Sequence, residues 1–203
     1  SGFADFGQLE LSAQPRGAWN NSPVNARRFV SEDPWYGLSR TISSVNDALR
    51  AINGGLLIVD SSRTSRTKAV GKFMQGLSHG YLGLYFDKAF IVDERTLLDT
   101  IADPQFATYQ EMNAAAIAQI DSAIAIANRS NFTLPVDSWL YTPLTKDQFI
   151  RVANSFVARL MVYNARSRAE RAAVDWNKVI QRIDAGITTD FAPTAQVDVL
   201  WDD

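Results

Sequence analysis

Gly76-Leu77-Ser78-His79-Gly80 is the one stretch of this chain whose residue types and spacing suggest covalent chemistry. It fits G-x-S-x-G, the pattern in which a serine stands exposed on a sharp turn between a strand and a helix and attacks an acyl carbon. Such a serine needs a base that reaches it across the fold. The chain has a single His and no Cys, so the base could only be His79, which adjoins Ser78 in sequence. Val70 to Tyr85 also carries an unbroken helical period, with no strand ahead of the serine. The pattern therefore reads as coincidence. No catalytic residue is assigned, and the chain is expected not to be an enzyme. His79 falls with Lys68, Lys72 and Gln75 opposite the apolar stripe, which predicts a solvated helix face. Arg151, Arg159 and Arg166 follow one side of a later helix and read as a solvated or ion-paired face.

Neither metal nor cofactor is expected. One imidazole and no thiol cannot assemble the common zinc sets, and Asp198, Asp202 and Asp203 lack the spacing of a calcium loop. No Gly-rich phosphate cradle occurs; Gly54-Gly55 reads as a helix stop. With 20 basic against 22 acidic residues and a net charge of −2, the chain lacks the basic footprint of a nucleic-acid-binding domain. No run approaches the roughly 18 apolar residues that a membrane-spanning helix needs. A start at Ser1-Gly2-Phe3, without Met, leads to the expectation of a removed leader or a trimmed chain.

Aromatic residues in loops are the remaining chemistry. Trp139 and Tyr141 stand among Asp137, Ser138 and Thr142; Trp19 precedes Asn20 and Asn21; Trp201 precedes Asp202. Sugar rings have apolar C–H faces and a hydroxyl rim, so flat aromatic faces beside carboxylates and amides suit them. Asp137, Trp139, Tyr141, Trp19 and Asn20 are the candidate ligand-binding residues. The competing reading is that each tryptophan only pins its loop to the helices.

The elements that must position these residues are helices. At 203 residues, 46% hydrophobic and 21% charged, the chain can build a sizeable core. Residues 1–33, punctuated by Gly2, Gly7, Pro15, Gly17 and Pro23, read as an irregular strap. Asp33 as cap and Pro34 at the first helical position predict a first helix carrying Leu38, Ile42, Val45, Leu49 and Ile52. A second is predicted over about 64–87, with Val70, Phe73, Met74, Leu77, Tyr81, Leu84 and Tyr85 as its core stripe. Gly76, Gly80 and Gly83 project within about 60° of one another on it, which calls for a closely approaching helix or backbone. A third is predicted over about 104–128. The Thr145/Gln148 capping box opens a fourth with Phe149, Val152, Ala153, Phe156, Val157, Leu160 and Tyr163 inward. Asp175 caps a fifth, carrying Trp176, Val179, Ile180 and Ile183, and Gly186 closes it. The expected fold is all-α: antiparallel helix pairs in a tetratricopeptide-like array over 34–187, then an irregular segment 188–203.

Five of these segments, in order, resemble the SusD/RagB family of outer-membrane nutrient-binding lipoproteins. They are Trp35-Tyr36 with Ile42, Asn46, Leu49 and Ile52; Lys68 to Gly76 and on to Tyr85-Phe86; Tyr109 through Ile120-Asp121-Ser122-Ala123; Val152-Ala153 to Tyr163; and Asp175-Trp176 to Val179-Ile180 with Gly186-Ile187. The resemblance implies a cell-surface lipoprotein of the bacterial outer membrane that lies as a lid on a TonB-dependent β-barrel transporter. It would capture an oligosaccharide or other nutrient without catalysis. Membrane attachment would come only through a lipid anchor that this chain does not carry. The loop tryptophans are candidates on their chemistry and not through the resemblance. The alternative function is a helical scaffold that binds other proteins and no small ligand.

Overall fold

Short polar side chains at the breaks between apolar runs set where most of the helices begin. The computed structural model describes residues 28–96, 105–135 and 143–192, together with Ser22 and Val24. The elements run α1 (Phe29–Asn53), α2 (Ser61–Tyr85), β1 (Lys88–Ala89), β2 (Ala107–Thr108), α3 (Tyr109–Asn128), β3 (Thr133–Leu134), β4 (Leu144–Thr145), α4 (Lys146–Tyr163), α5 (Arg168–Ala172) and α6 (Trp176–Asp184). Asp60 caps α2, accepting the Arg63 amide at 2.7 Å. Thr108 with Glu111, Thr145 with Gln148 and Ser167 with Glu170 form reciprocal capping boxes for α3, α4 and α5. Asp175 caps α6 as expected.

The start of α1 departs from the sequence reading. The Arg28 carbonyl accepts the amides of Ser31 and Glu32 at 3.0 and 2.9 Å, and the Arg28–Glu32 ion pair spans that turn. Five further residues therefore join the helix ahead of Pro34, which lies inside α1, and Asp33 is an exposed helical residue. The expected boundary between strap and helical array falls within a helix.

The α1–α2 turn holds the one strained backbone position among the described non-glycine residues. Gly55 has φ +103°, and Val59, β-branched and exposed, has φ +62°. Val59 is held there because the Asp60 amide bonds Ile58 O at 2.6 Å while the Ile58 amide bonds Thr64 Oγ1 at 2.8 Å. A left-handed conformation costs an L-residue about 1–2 kcal/mol, and Asn tolerates it better. Val59→Asn is expected to raise stability by about 1 kcal/mol in a denaturant melt; an unchanged midpoint would mean that the turn carries no strain.

The helices pair antiparallel. Leu49 meets Gly71 and Asn46 bonds Gln75 across α1 and α2; Gly76 meets Ile120 and Gly83 meets Tyr109 across α2 and α3. The glycine row does what its spacing calls for. A Cβ at Gly76 would lie 2.7 Å from Ala116 O, and one at Gly80 2.7 Å from Leu160. Two antiparallel ribbons close the inter-helix connections. β1 pairs with β2 between α2 and α3, and β3 with β4 between α3 and α4. With two residues per strand, they leave the fold all-α.

The main core joins Ala116, Ile120, Ala123 and Ala127 of α3 to Phe149, Val152, Val157 and Leu160 of α4 around Phe73. Phe73 sits edge-on to Phe149 and Phe156, ring centroids 5.5 and 5.6 Å away. A second cluster gathers Ile42, Leu82, Ala89 and Met112, with Trp35 against Phe86.

Candidate functional site

Helix α2 has neighbours on several sides, and its polar stripe is therefore not solvated. Gln75, Ser78 and His79 are buried, which corrects the reading of that face as surface. The elbow geometry is also absent: Ser78 sits in the middle of one continuous helix. The stripe meets Asn46 of α1, Gln119 of α3 and the segment 87–96 in a connected polar network. Lys72 Nζ donates to Glu94 at 2.7 Å and to Gln75 Oε1 at 3.0 Å. Gln75 Nε2 donates to Asn46 Oδ1 at 2.6 Å and to Glu94 at 3.1 Å. Asn46 Nδ2 donates to Val92 O at 3.1 Å. Burial pushes the Glu94 carboxyl up, but the hydrogen bonds from Lys72 and Gln75 outweigh it and hold the group below the usual carboxylate range. The network ties the loop to α1 and α2. A partial signal was legible, since Asn46 lies between Ile42 and Leu49 on the apolar stripe of α1.

The three arginines expected on one side of a later helix split three ways, and Arg166 lies beyond the end of α4, in the connection to α5. Arg151 donates to Gly186 O at 2.9 Å, joining α4 to the end of α6. Arg159 lies over the rings of Tyr81 and Tyr163, 5.8 and 5.2 Å from their centroids. Tyr85 and Tyr163, expected in the core, are exposed. Arg166 donates to Gly83 O at 2.7 Å and Phe86 O at 2.8 Å, pairs with Asp87 and covers the Tyr109 ring at 3.9 Å. It thus satisfies carbonyls at the C-terminal end of α2, where a cation also opposes the helix dipole. The Tyr109 hydroxyl donates to Glu170, and that bond with those from Ser167 and Arg166 holds the Glu170 carboxyl at about 2.

A groove of about 450 Å³ opens between α1 and α2. Val45, Leu49, Val70 and Met74 give it an apolar lining; Ser44, Thr67 and Arg66 supply polar groups. It runs to Leu134 and Pro135, at the β3 end of the connection into α4. Arg66 Nη1 donates to Thr133 O at 3.3 Å, which ties that connection to α2. The volume lies within the range of small-molecule sites. Sequence reasoning missed the groove because its walls belong to different helices.

The expected ligand residues Asp137, Trp139, Tyr141, Trp19 and Asn20 lie outside the described residues, as does Trp201. Among the described residues no group of three His, Cys, Asp or Glu side chains is placed to hold a metal ion. No helix among them is long and apolar enough to cross a membrane.

Fold and site together define an all-α stack of antiparallel helix pairs with a groove between its first two helices. Comparison of the chain with protein-family models, with curated proteins and with solved structures finds no match.

Proposed function

We propose that this chain is a non-catalytic nutrient-binding protein of the bacterial outer membrane that captures an oligosaccharide for a TonB-dependent transporter. The observation that carries the reading is the α1–α2 groove. It combines apolar walls with hydroxyl and guanidinium donors, and it runs to Pro135, just ahead of the segment bearing Asp137, Trp139 and Tyr141. Apolar walls suit the C–H faces of a sugar, and the polar groups suit its hydroxyls. The ordered resemblance of five helical segments to SusD/RagB proteins supplies the outer-membrane setting, the lipid anchor and the transporter partner.

Titration with a panel of oligosaccharides, followed by tryptophan fluorescence, tests the reading. One glycan is expected to shift the emission, and Trp139→Ala to abolish the shift. Native membranes should also yield a TonB-dependent β-barrel at near-equal amount with this chain. A silent panel together with no barrel would sink the proposal.

A scaffold role has its own supporting observation. Trp176, Ile180, Ile183 and Ile187 recur at three- and four-residue spacing along α6 and just beyond it, and all four are exposed. Such a stripe suits another apolar surface. Recovery of a soluble or filament-forming partner in place of a barrel would favour that account.

A further inference from the structure

The only histidine is wired for one protonation state. His79 Nδ1 lies 2.9 Å from both Gln75 O and Gln119 Oε1, two acceptors, so it carries the hydrogen. Nε2 accepts the Val92 amide at 3.2 Å, so it must keep its lone pair. The imidazole is fully buried and neutral in this arrangement. A second proton would set an N–H on Nε2 against the Val92 N–H, donor against donor, in a site closed to water. Val92 is gripped at both ends, because its carbonyl accepts from Asn46 Nδ2. It also helps line a pocket of about 170 Å³ with Trp35, Ile42, Leu82, Ala89 and Phe90.

We infer that His79 is a proton-operated latch: its protonation releases the Val92 stretch of the segment 87–96 from α1 and α2 and so opens the wall of the pocket beside Trp35. The charged groups that bear on it are Lys72 of α2, which opposes the proton, and Asp93, which favours it; Glu94 lies beyond, paired with Lys72. The groups met from α1 and α3, Asn46 and Gln119, are neutral. Burial keeps the latched imidazole below its ordinary value, against the pull of its bonds to Gln75 and Gln119. Once the segment swings away, the ring regains water on its Nε2 side and moves back up toward the ordinary value of about 6.5. Opening therefore takes up a proton, and the open fraction grows by up to about tenfold per pH unit below about 6.5, until the latched imidazole itself takes up the proton. Nearby carboxylates contribute only below about pH 4.5, which leaves a window for His79 alone.

Amide hydrogen exchange of the intact chain tests the latch, with intrinsic exchange corrected. Between about pH 6.5 and 5, the protection of the Val92 amide is expected to fall with pH, by up to about tenfold per unit, while remaining below that of Phe73 at the core of α2. In His79→Gln, which offers a donor and an acceptor but does not titrate, the pH dependence specific to Val92 should vanish. The ¹⁵N signals of the single imidazole should show the Nδ1–H tautomer at about pH 7.5. Equal protection of Val92 and Phe73 at every pH would mean that only global unfolding exposes the segment, and would overturn the proposal. So would Val92 protection that stays flat across the window, or an Nε2–H tautomer. These readings come from the wild-type chain, so they decide the matter even if His79→Gln fails to fold.

Discussion

Gly76→Val is expected to destabilise the chain by about 3 kcal/mol or more, the upper part of the range for overpacking. Even a bare Cβ at this position would stand 2.7 Å from the Ala116 carbonyl oxygen, 2.7 Å from Ile120 Cγ1 and 3.0 Å from the Ile120 amide nitrogen. Two of those three atoms are backbone of α3, so no rotamer change makes room; the helices must separate. Separation would also loosen Gly80 against Leu160 and Phe73 against Phe149, since the same face carries the core. In a chain of this size the loss corresponds to a fall of about 6–12 °C in Tm. Gly37→Ala is the matching control, because nothing lies within 4 Å of a Cβ there. It removes a helical glycine without a clash and should gain up to about 1 kcal/mol. Thermal or urea melts of the two variants should move in opposite directions. A Gly76→Ala variant that stabilises as Gly37→Ala does would refute the close α2–α3 approach.

Lys72→Ala is expected to cost about 3–5 kcal/mol near neutral pH, the range for removing one partner of a buried ion pair. The Lys72 and Glu94 side chains are only 12% and 6% exposed, so the variant strands a carboxylate with Gln75 as its remaining side-chain donor. The pH profile should change sign as well. In the wild type Glu94 is held below its unfolded value, so its contribution is present above about pH 4.5 and is lost as the pH falls through the folded value. Without Lys72, burial, the largest single cause, is opposed only by the bonds from Gln75 and the backbone, and the folded value is expected to rise above the unfolded one. The folded state then binds the extra proton, and the variant should gain stability as the pH drops toward about 5. Lys72→Met with Glu94→Gln should recover most of the loss, since no charge is left buried. Denaturant melts at about pH 7.5 and 5 measure all three. An equal loss in the single and double variants would show that the pair is not what holds the segment.

The parts of this fold legible in the chain were those decided by neighbours in sequence. Thr145 and Gln148 cap α4, Asp175 caps α6, and Phe149, Val152, Ala153, Val157 and Leu160 face inward because a helical period sorts them. The glycine row announced a close approach because a missing side chain is unfavourable in a helix unless something occupies its place. Gly54 ends α1 for an equally local reason, its amide bonding the Arg50 carbonyl.

The failures share one cause, which is the number of partners a helix has. Amphipathic reasoning allows a helix one buried face, whereas α2 packs against α1 and α3 along its length and also meets α4 and the segment 87–96. Lys72, Gln75 and His79 were assigned to water because they oppose the apolar stripe; tertiary packing put Asn46, Glu94 and Gln119 there instead, and the buried groups bond one another. Tyr85 and Tyr163 erred the other way, exposed where the period placed them inward. The α1–α2 groove, the His79 contact with Val92 and the Arg166 clamp join residues 13 to 91 positions apart, so none leaves a periodic trace. By itself the sequence determined that the chain forms helices, where α4 and α6 start and where α1 and α3 stop, and that the common Cys- and His-based zinc sets cannot be assembled from it. Only the tertiary structure decided which polar groups lose their water, because desolvation depends on what packs across a face and not on the face alone.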